Sequence, residues 1–464
     1  MEELSSDASA YAAQRGVLRA IFTETLEAID VRAVIKRTVS SGDGMLHIAD
    51  WTYPLADFRR IIVVAIGKAA SPSAEVLLRQ ISACKPYEVQ LQAIVVGLEE
   101  TGSEACAIEH WPGSHPIPDA TSRSAALRII DVLRGTTAQD LVLFLISGGA
   151  SAMVELPLDE SMSVEEVAGF YRALVHSGLT IAEMNTLRKH LSAVKGGRLA
   201  QFAAHATKCT LLISDVPDEM DDVIGSGPTL PDPSTCEQCW QLMRRSQLKA
   251  IPQRVRNALE SAALAETPKR DMECFRNAQY RVLLSTTTML TAAAAVCARY
   301  GFHAVVDNTC DDWDYRDAAE YLLERTHELS REHPRMCLLS GGEVSVQLSG
   351  RPGRGGRNQQ FALYCARLLQ GRADAVSVLS AGTDGIDGNS PAAGAIVDAT
   401  TVARARELQL DVQDALDRFD AYSLLDRIGD AIVTGATGNN VRDLRIVMAV
   451  RDEPNQDFDE TGAR

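Results

Sequence analysis

No G-x-G-x-x-G follows an apolar run in this chain and no GxxxxGK[ST] loop is present, so neither a standard dinucleotide fingerprint nor a Walker A loop is expected. No uncharged apolar run approaches the roughly 20 residues that span a bilayer. The first thirty residues have no basic start, long apolar block or cleavage site, and they read as a helix rather than a signal peptide. A cytoplasmic protein is expected. Positive charge is in short supply, with 46 Lys and Arg against 62 Asp and Glu and a net charge of -16. Such a field repels nucleic-acid backbones and anionic lipid, and no basic stripe interleaved with aromatics overrides it, so neither nucleic acid nor membrane is expected as a partner. A cysteine framework is missing as well. Ten cysteines without framework spacing fit reduced, mostly buried thiols. The close pair Cys236 and Cys239 has no second CxxC or HxxxH and reads as two cysteines at a helix start rather than half of a zinc site.

What is present is ordinary soluble composition, 46% hydrophobic and 23% charged over 464 residues, a length at which two cores are expected. Apolar β-branched runs at Ile61–Ile66, Leu91–Val96, Leu141–Ile146 and Thr210–Ile213 alternate with helical patterns, which predicts a mostly parallel sheet covered on both faces. The strand signal vanishes between Trp240 and Tyr280. It resumes with Arg281–Ser285, His303–Val306, Cys337–Leu339, Val376–Leu379 and Ile446–Val450, around an alanine-rich helix at Leu290–Tyr300. The expectation is an α/β protein of two domains, residues 1–240 and 281–452, joined by a connector at 241–280 and followed by a frayed tail at 453–464.

Six glycine-rich turns follow apolar runs: Gly67-Lys68, Ser147-Gly148-Gly149, Ser340-Gly341-Gly342, Gly355-Gly356-Arg357-Asn358, the stretch Gly382 to Gly388 and the stretch Thr434 to Asn439. Glycine lets backbone N–H groups approach a ligand closely, and a strand that ends in such a turn before a helix is a ready anion site. Phosphate chemistry is the first expectation. Lys68 would stand at a strand end beside a helix start, although a surface lysine after a turn would read the same. Ser147, Gly148, Gly149 and Ser151 offer N–H groups and hydroxyls for phosphate or carboxylate. Ser340, Gly341, Gly342 and Glu343 nearly copy that turn in the second domain, which favours a shared cleft. Between Glu183 and Arg198 five basic residues concentrate, and helical spacing would put Arg188, Ser192 and Lys195 on one face; a solvated helix face is the competing reading. His190 alone reads as structural. Asp215, after the strand TLLIS, and Asp384 and Asp387, in GTDGIDG, are carboxylates at strand ends of the kind that hold magnesium, while Asp-Gly steps are also common turn residues. Arg357, in its glycine loop, could clamp a carboxylate or phosphate, with Asn358, Thr383 and Thr437 as further polar groups for a ligand.

The strings VVAIGKAA, GSHPIPD, LISGGASAM, RKHLSAVKGGRLA, LLISDVPDE, GSGPTLPDPST, ETPKRDM, LLSGGEVSV, GRGGRNQQFAL, SAGTDGIDG and TGATGNNVRDL cover nearly the whole chain in order. In them the sequence resembles the glycerate 2-kinases of the MOFRL-domain type. The resemblance implies an N-terminal Rossmann-like domain, a C-terminal MOFRL-type α/β domain with a mixed sheet, and ATP-dependent phosphorylation of D-glycerate to 2-phosphoglycerate with magnesium in a cleft between the domains. It puts Lys68 and Arg357 on the family's essential positions and Asp215 and Asp384 on its acidic ones. A homodimer is left open. Departures fall on loop rims: GTDGIDGNSPAAGA lacks an aspartate after its second glycine segment, TGATGNNV replaces TGPTGTNV, and threonine replaces asparagine after RVLLS. These bear on substrate preference before activity. The reaction implied is in-line phosphoryl transfer, with Lys68 and Arg357 neutralising charge, Asp384 or Asp215 orienting the attacking hydroxyl, and the remaining carboxylates holding magnesium. Two rival readings are an NAD(P)H-dependent hydroxypyruvate reductase, for which the fingerprint is missing, and a non-catalytic sugar-acid-binding protein.

Overall fold

Three sheets organise the chain in the computed structural model, which describes residues 2–98, 108–245, 248, 250–348, 350–372 and 375–451. The tail expected at 453–464 lies outside the described residues. β1 (Val39–Gly42), β2 (Met45–Ile48) and β3 (Trp51–Pro54) form an antiparallel meander. These four-residue strands are too short for an alternating pattern to announce them.

β4 (Arg60–Ile66), β5 (Gln90–Gly97), β6 (Ile108–Pro112), β7 (Asp140–Ile146), β8 (Thr207–Ile213) and β9 (Ala278–Leu284) build a sheet ordered β6-β5-β4-β7-β8-β9, with every neighbouring pair parallel. All of β7 is buried, and β4 shows only its first residue partly to solvent. Both faces are therefore covered, which explains the near-continuous apolar runs. Helices Ala70–Cys84 and Ala120–Arg134 lie between successive strands in the chain. A separate helical layer, Val164–Val175, Ile181–Leu191, Cys236–Arg244 and Gln253–Leu259, closes on its own core of Phe170, Leu174, Leu187, Leu242 and Val255.

The second large sheet contains β10 (His303–Val306), β11 (Arg335–Gly342), β12 (Ala375–Gly382), β13 (Gly394–Asp398), β14 (Ala431–Ile432) and β15 (Asp443–Val450), in the order β10-β11-β15-β12-β13-β14. Only β10 and β11 run parallel. β15 is antiparallel to both β11 and β12, so its first residues lie at the edge where those strands end. Helix Arg357–Leu369 packs Phe361, Leu363 and Cys365 into this unit's core with Val378, Val397 and Val447.

The contacts divide the chain differently from the expected 1–240 and 281–452. One unit is Met1–Ala28 with Thr287–Thr437 and Arg442–Arg464, and the other is Ile29–Thr286 with Gly438–Val441. The first helix, Glu2–Ala28, therefore belongs with the C-terminal sheet. Its Leu18, Ile21 and Phe22 are buried, Arg15 pairs with Asp398, and the Ser377 hydroxyl donates to Gln14 Oε1 at 2.7 Å. The strand read at Arg281–Ser285 was expected in the second domain, but as β9 it is an edge of the parallel sheet beside β8. Of the expected connector at 241–280, residues from Leu242 to Leu264 pack into the helical layer and Ala278–Tyr280 already belong to β9. All three corrections come from contacts between distant segments, which local periodicity does not encode.

Phe22→Ala is expected to cost about 3–5 kcal/mol, the usual range for emptying a buried aromatic site. Hydrogen exchange should speed up in β12 and β13, although the substitution lies at the other end of the chain. Faster exchange in β4 and β7 with β12 and β13 unchanged would contradict this grouping.

Candidate functional site

In the N-terminal unit, β4, β7 and β8 are adjacent and parallel, so the residues after their carboxyl ends are neighbours. This is the usual ligand edge of an open α/β sheet. Gly67 and Lys68 follow β4, Ser147–Gly149 follow β7, and Asp215 comes two residues after β8. The turns interlock. Lys68 N–H donates to the Gly148 carbonyl at 2.9 Å, and Ser147 Oγ accepts from Ala69 N–H at 3.0 Å. A Cβ on Gly67, whose φ is +122°, would lie 2.3 Å from that hydroxyl, and one on Gly148 would lie 2.0 Å from Asp215 Oδ2. Glycine is therefore needed at both positions because another turn occupies the space. Asn440 donates to Asp215 Oδ2 at 3.4 Å. Among the described residues the Gly148 and Gly149 N–H groups make no hydrogen bond, so together with the half-buried Lys68 they remain available to an anion.

His115, in the turn after β6, was not singled out from the sequence, yet its ring lies 3.2 Å from where a Cβ on Gly149 would stand. Burial first, and then the charges of Lys68 and Arg188, pull its imidazole below the ordinary value, so it is neutral at neutral pH. The signal was a histidine directly after a strand-end glycine and serine.

The basic stretch 183–198 resolves differently from one ligand-binding face. The helix ends at Leu191, and Ser192 is already extended. Lys195 is buried, donating to Glu155 at 2.8 Å and to the Val154 carbonyl at 3.0 Å. Lys189 is buried against Asp222 and Asp232, and Arg198 donates to the Lys189 carbonyl. A buried cation needs a partner, and these have internal ones. Lys195 is therefore not the expected ligand group. Arg188 differs: its guanidinium stacks 4.8 Å from the Tyr171 ring, and its Nε has no partner among the described residues. Ser151 lies 2.8 Å from Ser226 Oγ, which donates to Asn185 at 2.5 Å, so this hydroxyl belongs to an internal network.

In the C-terminal unit, Gly342 and Gly382 both lie opposite Asp443 across β15. Asp443 thereby stands between the ends of β11 and β12, and it accepts from Arg357 Nε at 2.6 Å and Nη2 at 3.2 Å. Glu343 meets the same guanidinium at 3.0 Å. Burial works against the charge, but Asp443 and Glu343 hold the Arg357 pKa above its ordinary value. Arg357 opens helix Arg357–Leu369, and the first free N–H groups there are already capped: Asp387 accepts from Asn358 N–H at 3.1 Å and Gln359 N–H at 2.9 Å. Asp387 is buried, and a Cβ on Gly356 would lie 2.2 Å from its Oδ1. With both oxygens occupied, it is a helix cap rather than the magnesium ligand expected from the sequence.

The Asn358 amide is buried, bonded to Asp387 and Ser380. Thr383 Oγ1 donates to the Arg442 carbonyl, and Thr437 Oγ1 donates to the Thr383 carbonyl, so these three groups build the loops. The Ser340 turn is held internally as well. Gly341 N–H donates to Asn308 at 2.7 Å, buried Arg445 donates to the Gly341 and Gly342 carbonyls and lies 3.4 Å from Ser340 Oγ, and a Cβ on Gly342 would meet Asp311 at 1.9 Å. It copies the Ser147 turn in sequence and not in available N–H groups. Arg357 and Asp384 instead line a cavity of about 770 Å³ whose other walls include Val344, Val346, Leu348, Ile386 and Phe419. A charged end and an apolar end in one hollow of this size suit a small molecule that is itself anionic at one end.

Two domain families match the chain in sequence order, the first reaching back into helix Glu2–Ala28. A family described as a domain of unknown function (DUF4147) matches residues 17–260, and the MOFRL family matches residues 336–443. D-glycerate 2-kinase of Thermotoga maritima is 34% identical over 403 residues, 86% of this chain and 93% of the relative. Glycerate 2-kinase of Pyrococcus horikoshii is 32% identical over 431 residues, 92% and 95% of the two chains. The crystal structure of glycerate kinase from Thermotoga maritima matches with a TM-score of 0.80 at 32% identity, over 95% of this chain and 100% of that one. The chain belongs to the glycerate kinase family. Its DUF4147 segment carries Lys68, Ser147–Gly149 and Asp215, and its MOFRL segment runs from within β11 to Asp443, the partner of Arg357.

Burial, against the two N–H donors, pushes the Asp387 carboxyl from its ordinary 3.8 up to about 7. Between these values the folded chain keeps a proton that the unfolded chain has released. The stability this group adds is complete below 3.8 and lost as pH rises through about 7. Urea midpoints of the C-terminal unit should fall across that window, and Asp387→Asn, which keeps an acceptor for the cap, should flatten the fall.

Proposed function

We propose that this chain transfers the γ-phosphoryl group of ATP to the 2-hydroxyl of D-glycerate. The observation that carries the reading is the gathering of Lys68, the open Gly148 and Gly149 N–H groups and Asp215 at the ends of three adjacent strands. A cation, two backbone donors and a carboxylate are what a 2-hydroxy acid needs: a counter-charge for its carboxylate and an acceptor for its hydroxyl proton. Lys68, with Arg188 and neutral His115 beside it, holds the glycerate carboxylate. Asp215 accepts the proton of the attacking hydroxyl.

The cavity of the C-terminal unit supports the nucleotide role. Val344, Val346, Ile386 and Phe419 present an apolar surface for a base, and Arg357 a guanidinium for phosphate oxygens. Asp443 fixes the guanidinium plane, so little side-chain freedom is lost when phosphate binds. Asp384 faces the same cavity, with Oδ1 accepting from Ile386 N–H at 3.0 Å. A carboxylate without an ion pair among the described residues beside a phosphate site fits magnesium, which takes one or two carboxylates, phosphate oxygens and water and, when bound, neutralises charge on the transferred group. Unpaired cysteines among the described residues support a cytoplasmic enzyme.

Lys68→Ala and Arg357→Ala should each lower kcat by about 100-fold or more in ADP release with D-glycerate, while circular dichroism remains unchanged. Enolase should consume the product, since it accepts only the 2-phospho isomer; a product that resists enolase assigns the reaction to the 3-hydroxyl. Asp384→Asn should be partly rescued by raised magnesium and Asp215→Asn should not. The opposite pattern would exchange the two roles.

A further inference from the structure

One set of donor atoms away from the strand-end turns has no part in this chemistry. His190, on helix Ile181–Leu191, is fully buried, with Nδ1 2.8 Å from the Thr186 carbonyl. A carbonyl only accepts, so Nδ1 carries the proton and Nε2 presents a lone pair. That nitrogen is buried and has no hydrogen-bond partner among the described residues, which is uncommon in a folded chain. Near it lie Cys236, the first residue of helix Cys236–Arg244, and Glu266. One donor atom from each of the three lies within 4.8 Å of the other two.

We propose that His190 Nε2, Cys236 Sγ and a Glu266 carboxylate oxygen bind a divalent transition metal, zinc by the chemistry of the donors, with water as a fourth ligand. One imidazole, one thiolate and one carboxylate suit zinc better than calcium or magnesium, which take oxygen. The supporting contacts are already in place. The Thr186 carbonyl orients the imidazole through its other nitrogen, as is usual for metal-bound histidine, and Glu266 Oε1 accepts from Cys236 N–H at 2.7 Å, holding carboxylate and thiol together.

Tetrahedral zinc separates its ligand atoms by about 3.3–3.8 Å, and His190 Nε2 is 4.0 Å from Glu266 Oε2. A small swing of Glu266, whose side chain is 48% exposed, brings its oxygen into range and leaves an entry path for the ion. Lys269 pairs with that oxygen at 3.0 Å but also donates to Thr267 Oγ1 at 2.8 Å and to the Asp232 and Ser234 carbonyls. It therefore keeps partners when the carboxylate turns to the metal. Lys189 and Arg198 are the other cations nearby, with Asp222 and Asp232 as their counter-charges. On binding, the Cys236 thiol gives its proton to solvent, a sulfur–metal bond forms and no electron is transferred. Such an ion would tie two helices of the helical layer to the segment carrying Glu266, as a structural staple.

Cobalt(II) titrated into the chelator-treated full chain tests the proposal. A thiolate-to-cobalt charge-transfer band should grow to one ion per chain, disappear when zinc is added and be absent in Cys236→Ser. It should persist in Cys239→Ser and need at least tenfold more cobalt in His190→Ala. If His190→Ala does not fold, Glu266→Gln carries the same tenfold expectation at an exposed position. Zinc should raise the thermal midpoint of the unaltered chain and not that of Cys236→Ser. No band in the unaltered chain, a band that survives Cys236→Ser or one lost in Cys239→Ser would overturn the assignment.

Discussion

The C-terminal unit depends on the direction of β15. Because this strand runs against β11 and β12, its first residue lies level with their last, and Asp443 enters the edge of the sheet between two glycines. A parallel strand in that place would bring its final residue there instead. The carboxylate then fixes Arg357 at the start of a helix whose next two N–H groups are capped by buried Asp387. Gly356 is required because Asp387 fills the place of a side chain. One strand direction thus determines where the guanidinium points and which groups at that helix start can meet a ligand.

Much of this was legible in the sequence, for a physical reason. A parallel sheet buried on both faces needs unbroken apolar strands, and β4, β5, β7 and β8 show them plainly. Ligand edges of such sheets lie where strands end, so the glycine turns directly after β4 and β7 pointed to Lys68 and Ser147–Gly149 as candidate ligand groups, and the acidic turn after β8 pointed to Asp215. What could not be read was the pairing of charges across long sequence distances. Lys195 and Arg188 look alike in the linear string, but Glu155, forty residues before Lys195, compensates one and not the other. Asp387 resembled a cation ligand because its role depends on N–H groups nearly thirty residues earlier. Asp443, the first residue of an apolar strand, gave a faint signal that only register could interpret.

An acidic protein that takes an anionic substrate must keep a few cations open to it. With a net charge of -16, loosely held surface lysines would do little to attract phosphate. Lys189 and Lys195 of the segment 183–198 are instead locked into buried pairs with Asp222, Asp232 and Glu155. Arg357 keeps its charge through two carboxylates and still faces a cavity. Function and architecture draw on the same residue types and are separated by whether an internal acid lies within reach.

The placement of helix Glu2–Ala28 has a consequence for biosynthesis. Its buried partners in β12 and β13 are made more than 300 residues later; Gln14 and Ser377, for example, are 363 positions apart. During translation the segment Ile29–Thr286 can close its own core while this helix waits with Leu18, Ile21 and Phe22 unsheltered. Final docking of the helix must therefore follow emergence of the last sheet strands, and until then its apolar stripe has no partner sheet to cover it.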